Sequence, residues 1–178
     1  MIYMFLANGF EEIEALMPLD LMRRAGLDVK TVGVGSLDIT GSHGITVMAD
    51  ILDSDFSDNS PECVILPGGM PGTKNLDASP VVHSALDSAL ENDALICAIC
   101  AAPMILGKRG ILRGKKATCF PGFEEYLEGA TVGGRAVRDG QVITGIGMGA
   151  ALEFGLEIVA ALKGREAADK LAAAVLAK

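Results

Sequence analysis

Short apolar runs alternate along the chain with stretches whose apolar residues recur at helical spacing. The apolar runs predict buried strands at residues 2–7, 28–34, 63–66 and 95–99. Shorter extended segments predict a hairpin at 38–40 and 45–49, and strands at 117–119, 130–132 and 136–144, the last broken by a turn at Asp139-Gly140. Helices are predicted at 11–24 with a kink at Pro18, from Ser79-Pro80 onward, and at 101–106, 151–162 and 165–176. This order predicts one α/β domain over residues 1–178, with a mainly parallel sheet and helices on both faces.

Composition and charge narrow the possible partners. The chain has no Trp and only 4% aromatic residues, so Val, Ile, Leu, Met and Ala must build the core, as in a buried parallel sheet. A net charge of −8 disfavours nucleic acid and anionic membranes as partners. No apolar stretch approaches the roughly 20 residues that span a bilayer, and the first residues lack the basic start of a signal peptide. We therefore expect a cytoplasmic protein that does not bind membranes.

The sequence contains no convincing cofactor or metal motif. Residues 145–150 match the pattern G-x-G-x-x-[G/A], but no later strand is available to carry the ribose-binding acid of a dinucleotide site. We interpret the segment as a close-packed turn near the active site. Cys97 and Cys100 form a C-x-x-C pair, but Cys97 lies within a strand, where residues three apart point to opposite faces. Neither a disulfide nor a zinc site is expected, and the other cysteines are interpreted as small buried residues: Cys63, Cys97 and Cys119.

Cys100 is the strongest candidate for a reactive side chain. The strand at 95–99 ends at this residue, and Ala101-Ala102-Pro103 follows directly. Small residues permit the tight strand-to-helix turn that presents a nucleophile at the carboxyl edge of a sheet. The amino end of the next helix would favour the thiolate, so we expect a lowered pKa for Cys100. On these residues alone, a buried core cysteine remains the alternative.

Two further segments supply candidate partners for the thiol. Glu14 is surrounded by apolar residues on the first helix, and a carboxyl group directed into the sheet edge could stay protonated and donate to a thiolate. Glu11 and Glu12 are interpreted as acids that complement the helix dipole. The glycines of Leu66-Pro67-Gly68-Gly69 could direct backbone amides into an oxyanion hole, although an ordinary turn is the alternative.

Segments 9–14, 66–69, 98–103 and 145–149, in this order, resemble the DJ-1/ThiJ/PfpI superfamily over nearly the whole chain. The resemblance implies a flavodoxin-like three-layer α/β/α sandwich, usually a homodimer with the active site near the interface. It implies that Cys100 is the functional cysteine and Glu14 the acid that hydrogen-bonds it. It also implies a backbone pocket at Gly68, Gly69 and Ala101, and it places Arg24 and His43 where relatives have a helix arginine and a dimer-contact arginine.

Phe120 departs from the pattern. Many relatives have a histidine close to the nucleophile at this position, before Pro121, whereas this chain has Phe, as some bacterial members do. His83 lies on another predicted helix and is expected to be solvated, and the function of His43 stays open. Without a Cys–His dyad, protease or amidase chemistry is disfavoured, because a base must handle the leaving amine.

The resemblance implies a stress-response protein that acts on small 2-oxoaldehydes without glutathione, as a glyoxalase or deglycase. The Cys100 thiolate would add to the aldehyde substrate, and Glu14 would move the proton; no cofactor is implied. The missing histidine lowers the expected rate, since a positioned base contributes roughly 10²- to 10⁴-fold. The alternative is an oxidation sensor or redox chaperone, with an oxidant converting the thiolate to a sulfinate.

Overall fold

The computed structural model describes residues 1–57 and 60–177. Its strands are β1 (Ile2–Leu6), β2 (Val29–Gly33), β3 (Asp38–Thr40), β4 (Thr46–Met48), β5 (Ile51–Leu52), β6 (Cys63–Leu66), β7 (Leu95–Ile99), β8 (Lys116–Ala117), β9 (Thr131–Val132), β10 (Ala136–Asp139) and β11 (Val142–Gly145). Its helices are α1 (Glu12–Arg24), α2 (Gly72–Asp77), α3 (Pro80–Glu91), α4 (Pro103–Lys108), α5 (Ala151–Lys163) and α6 (Arg165–Ala174).

Within the described residues, seven strands form the main sheet in the order β10-β11-β7-β6-β1-β2-β5. Every pair is parallel except β10 with β11, which is antiparallel. The central strands are apolar at nearly every position, because helices cover both faces of the sheet. The prediction of an α/β fold with a mainly parallel sheet is confirmed.

Two buried apolar clusters lie on opposite faces of this sheet. Successive residues of β1 alternate between them: Met4 points into the cluster formed with α1, α5 and α6, and Phe5 into the cluster formed with α2, α3 and α4. These two cores make the three layers of the predicted α/β/α sandwich. In the part of the chain that the structure describes, no helix is long and apolar enough to cross a membrane.

Several boundaries differ from the predictions. The helix after Cys100 begins at Pro103 instead of Ala101, since residues 100–102 form a turn. Pro18 does not divide α1, which is continuous from its first turn to Arg24. The predicted hairpin is present as β3 and β4, and β8 and β9 form a separate two-stranded sheet. Helix α2 was not predicted, because its six residues are too few to show a helical period.

The parallel strands bring three segments to one edge of the sheet. Strands β1, β6 and β7 are neighbours and run in the same direction, so the residues that follow them meet at the carboxyl edge. Crevices at this edge are the usual ligand sites of open α/β sheets. The segments that follow these strands are the start of α1, the Gly68-Gly69 turn and Cys100.

Candidate active site

Cys100 lies at a sharp turn directly after β7. Its φ angle is 65°, in the left-handed region that non-glycine residues seldom adopt. The turn is held from both sides: the Cys100 N–H donates to the Gly145 carbonyl at 2.8 Å, and the Cys100 carbonyl accepts from the Phe120 N–H at 2.8 Å. The side chain is partly exposed, whereas the other cysteines are buried. The turn therefore presents the Cys100 thiol at the edge of the sheet.

Glu14 lies in the first turn of α1 and its carboxyl group meets this thiol. Only 1% of the residue is exposed. Burial raises the pKa of Glu14 to about 7, against opposing hydrogen bonds with the Cys100 thiol and the backbone N–H groups of Gly68 and Met148; the charge of Glu11 adds to the increase. The Gly68 N–H lies 3.1 Å from Glu14 Oε2. Glu14 therefore carries a proton in a large part of the molecules near pH 7.

The thiol itself is not activated in the way that the sequence suggested. Burial raises the pKa of Cys100 to about 12, and the charge of Glu14 and its hydrogen bond to the thiol add to the effect. The backbone N–H groups of Gly69 and Ala101 act in the opposite direction but are weaker. The prediction of a lowered pKa is wrong because burial and the Glu14 carboxyl group outweigh the backbone N–H groups at this turn.

The glycine turn after β6 allows the thiol and the carboxyl group to come together. A Cβ on Gly68 would lie 2.5 Å from Glu14 Oε2 and 2.6 Å from Cys100 Cβ, so no larger residue fits without displacing the pair. The N–H groups of Gly69 and Ala101 face the thiol, as expected for a backbone pocket. The Gly68 N–H instead faces Glu14, which corrects its predicted position opposite the thiol.

The segment 145–149 packs against the site, as its interpretation as a close-packed turn predicted. It supplies the carbonyl that binds the Cys100 N–H and the Met148 N–H that binds Glu14. Phe120 lies beside it with 48% of its surface exposed. A Cβ on Gly147 would lie 3.3 Å from Phe120 Cδ2 and 3.8 Å from Glu14 Oε1, so the ring and the carboxyl group flank the same point.

Arg24 and His43 bind other partners in this chain. Arg24 pairs with Asp20 one turn earlier in α1. His43 Nδ1 lies 2.9 Å from Glu12 Oε2, and the His43 N–H donates to Glu12 Oε1 at 2.7 Å. Neither Arg24 nor His43 is among the groups that shift the pKa of Cys100 or Glu14. A single chain thus leaves both residues outside the thiol–carboxyl pair.

Glu12 has a structural function that its position at a helix start did not reveal. It is buried, and burial by itself would raise its pKa, but the His43 side chain and backbone N–H groups, including those of His43 and Ile45, lower the pKa to about 2. The carboxylate therefore holds the turn between β3 and β4. Its partner lies 31 residues away in sequence, so no local pattern could identify the contact.

The remaining candidate residues are used in packing. His83 was predicted to be solvated, but it has protein partners. Its Nε2 lies 2.7 Å from the Asp77 carbonyl and its Nδ1 lies 2.8 Å from Arg109 Nη1. The Cys97 thiol lies 3.6 Å from that of Cys63 in the buried core. In the described ranges, one group has the spacing of metal ligands, within 4.8 Å of one another: Glu11, Glu12 and His43. Its carboxylates already cap α1 and hold the β3–β4 turn.

Curated proteins similar in sequence to this chain cover most of its length. The Parkinson disease protein 7 homolog of Danio rerio is 36% identical over 97% of this chain and 95% of that protein. A glutathione-independent glyoxalase of Caenorhabditis elegans is 32% identical over 90% of this chain and 87% of that protein. Protein DJ-1 homolog B of Arabidopsis thaliana is 37% identical over 91% of this chain, which spans only 38% of that longer protein.

Solved structures and a family model match this chain over nearly the same residues as the curated proteins do. A DJ-1 superfamily protein from Salmonella typhimurium superposes with a TM-score of 0.93 at 31% identity, covering 98% of this chain and 97% of the other. The oxidized DJ-1 of Toxoplasma gondii gives 0.93 at 32% identity, with the same coverage. A sequence model of the DJ-1/PfpI family matches residues 1–161. These matches extend over the sheet, the Cys100 turn and Glu14, and the chain belongs to the DJ-1/PfpI family.

Proposed function

We propose that the protein converts small 2-oxoaldehydes to 2-hydroxy acids without glutathione, using Cys100 as nucleophile and Glu14 as proton carrier. The observation that carries the proposal is the hydrogen-bonded thiol–carboxyl pair, in which burial raises the pKa of Glu14 to about 7. A carboxyl group with such a pKa accepts and returns a proton at neutral pH. The relative in Caenorhabditis elegans that bears the name of a glutathione-independent glyoxalase supports the same activity.

The reaction begins when the Cys100 thiol transfers its proton to Glu14 and the sulfur adds to the aldehyde carbon. A C–S bond forms, the aldehyde oxygen takes the proton from Glu14, and the product is a hemithioacetal. Glu14 then removes the proton from that carbon and returns it to the neighbouring keto carbon, while the hydroxyl proton passes to the former keto oxygen, which gives the thioester of a 2-hydroxy acid. Water cleaves the C–S bond, so the net reaction adds one water molecule and needs no external oxidant.

Backbone groups around the thiol assist this sequence. The N–H groups of Gly69 and Ala101 face Cys100, where they would stabilise the oxyanion formed during addition and hydrolysis. The same addition chemistry would act on early carbonyl adducts of proteins, which is the deglycase form of the activity. Because Phe120 stands where a base could assist, Glu14 must move each proton alone.

We also propose a homodimer in the cytoplasm. Ile13 and Met17 are exposed one turn apart on α1, and the exposed Met48 of β4 lines the same surface pocket as Leu16 and Leu19 of that helix. Large apolar side chains grouped on a surface are typical of association sites. Helix α1 also carries Glu14, so a second copy on this surface would lie near the thiol. A reducing compartment would keep the Cys100 thiol available.

The first experiment measures lactate formation from methylglyoxal by the purified, reduced protein beside Cys100→Ser and Cys97→Ser. We expect turnover by the parent and by Cys97→Ser, and none by Cys100→Ser. Cys97→Ser is the matched control, because it makes the same chemical change in the buried core, where it costs stability only. Turnover that survives in Cys100→Ser, or is absent from the folded parent, would contradict the proposal.

The second candidate function is oxidation sensing without turnover. The oxidized Toxoplasma gondii relative is the observation that favours it. A protonated Glu14 could donate to the sulfinate formed on Cys100, and Cys97 contacts Cys63 instead of offering a second thiol. Peroxide titration followed by mass spectrometry should then add two oxygen atoms to Cys100, in a folded protein that does not turn over methylglyoxal.

A further inference from the structure

We infer that Phe120 selects the side chain of the substrate, so that the site prefers neutral 2-oxoaldehydes that carry an aromatic group. This inference rests on the proposed function, because it concerns what that site accepts. It starts from an exposed ring in an unusual place: the chain is poor in aromatic residues, yet Phe120 keeps 48% of its surface exposed next to the reacting groups.

The backbone of Phe120 is bound to the backbone of the Cys100 turn. The Phe120 N–H donates to the Cys100 carbonyl at 2.8 Å, which ties the two residues together. The ring edge lies 3.3 Å from the point that a Cβ on Gly147 would occupy, and Glu14 Oε1 lies 3.8 Å from that same point. We therefore place the side chain of a substrate bonded to the Cys100 sulfur next to the Phe120 ring.

The charges around the site disfavour anionic 2-oxo compounds as substrates. Glu11 places negative charge beside the pair, since its charge raises the pKa of Glu14, and Arg135, which contacts the 145–149 segment, is paired with Glu153. Arg24 and His43 are engaged by Asp20 and Glu12. An anionic 2-oxo compound would meet this negative charge, and these three cationic or titratable groups are already paired with carboxylates. A neutral aromatic side chain can instead stack on Phe120 or pack edge-to-face against it.

The test uses two neutral chloroketones, phenacyl chloride and chloroacetone, which alkylate Cys100 without turnover. In each case a C–S bond forms, a C–Cl bond breaks, and chloride and a proton are released. Intact-mass spectrometry gives the alkylation rate for each reagent, with Cys100→Ser as background and glutathione as the reference for intrinsic reactivity. The measured quantity is the ratio of the phenacyl rate to the chloroacetone rate.

We expect the parent to show a higher ratio than glutathione, and Phe120→Ala to lower it about 2- to 12-fold, the range for an aromatic contact. Phe120→Tyr should keep the ratio within about twofold of the parent, and Phe120→Leu, which keeps an apolar side chain of similar volume, should lower it. Phe123→Leu is the matched control, because that ring packs against Tyr126 instead of the site. The inference is overturned if the ratio of the two alkylation rates stays unchanged in both Phe120→Ala and Phe120→Leu.

A parallel turnover measurement separates this inference from the proposed function. The kcat/KM for conversion of phenylglyoxal to mandelate should exceed the kcat/KM for conversion of methylglyoxal to lactate. Phe120→Leu should reduce this difference. If neither aldehyde is turned over but the alkylation ratio depends on Phe120, the proposed function fails and the aromatic contact stands. If both are turned over equally and the ratio ignores Phe120, the proposed function stands and the inference fails.

Discussion

Replacing Glu14 with glutamine tests how the buried pair holds its protons. Glutamine keeps the size of the side chain and its hydrogen-bonding capacity but removes the charge. In the parent, burial, the Glu14 charge and the Glu14 hydrogen bond together raise the pKa of Cys100 to about 12. A neighbouring charge shifts a pKa by about 1–3 units. We therefore expect the Glu14→Gln thiol to have a pKa lower than the parent's by about one unit or more, and still above its ordinary value because of burial.

The assay is alkylation of Cys100 by iodoacetamide as a function of pH. In the parent, the rate should rise as the pair loses its first proton near pH 7, stay level, and rise again toward pH 12 as the second proton leaves. Glu14→Gln should show one rise only, with alkylation about tenfold faster than the parent at pH 9. Glu128→Gln, an exposed surface variant, is the control and should follow the parent.

Turnover should change in the opposite direction. The variant has more thiolate at pH 9 but no group that moves protons between carbons, so we expect the rate of lactate formation to fall by about 10²- to 10⁴-fold. Slower alkylation in Glu14→Gln at pH 9 would refute the reasoning, because it would mean that the Glu14 carboxyl group stabilises the thiolate. A parent profile without a level region would show that the two groups do not share a proton.

Two further predictions concern the residues that support the site. Gly68→Ala places a Cβ 2.5 Å from Glu14 Oε2 and should abolish both turnover and the level region of the alkylation profile, whereas Gly133→Ala, with no heavy atom within 4 Å of its added Cβ, should leave both unchanged. Equal effects of the two substitutions would contradict this packing argument. Glu12→Gln should destabilise the fold by about 2 kcal/mol at neutral pH, as measured by urea unfolding. Because folding lowers the pKa of Glu12 from about 4.5 to about 2, the stabilisation exists above pH 4.5 and is lost as the pH falls toward 2; a difference that persists at pH 2 would argue against it.

The main sheet was predictable because burial on both faces forces continuous apolar runs. Strands β6 and β7 coincide with their predicted bounds, and β1 ends one residue earlier than predicted. Short elements were less predictable, since a two-residue strand such as β8 shows no period and depends on its neighbour β9. Helix α2 escaped prediction for the same reason.

The site residues also differ in whether their signal in the sequence is local or depends on distant residues. The position of Cys100 at the sheet edge was predictable because its signal is local, an apolar strand followed by small residues, and the glycine turn after β6 was predictable from its composition. Glu12 was misread, because the evidence for its function lies in a turn 31 residues away. His83 was misread for a similar reason, since Arg109 lies 26 residues beyond it.

The pKa of the thiol shows most clearly what a local pattern leaves out. The prediction of a lowered pKa rested on one favourable influence, the amino end of the helix that follows the turn. In the folded chain, backbone N–H groups do lower the pKa of Cys100, but burial and the Glu14 carboxylate outweigh them. Both of these depend on packing between β6, β7 and α1. Protonation of Glu14 removes the contribution of its charge to the pKa of Cys100, so the reactivity of the thiol near pH 7 depends on both groups. Replacing either residue must therefore change the titration of the other.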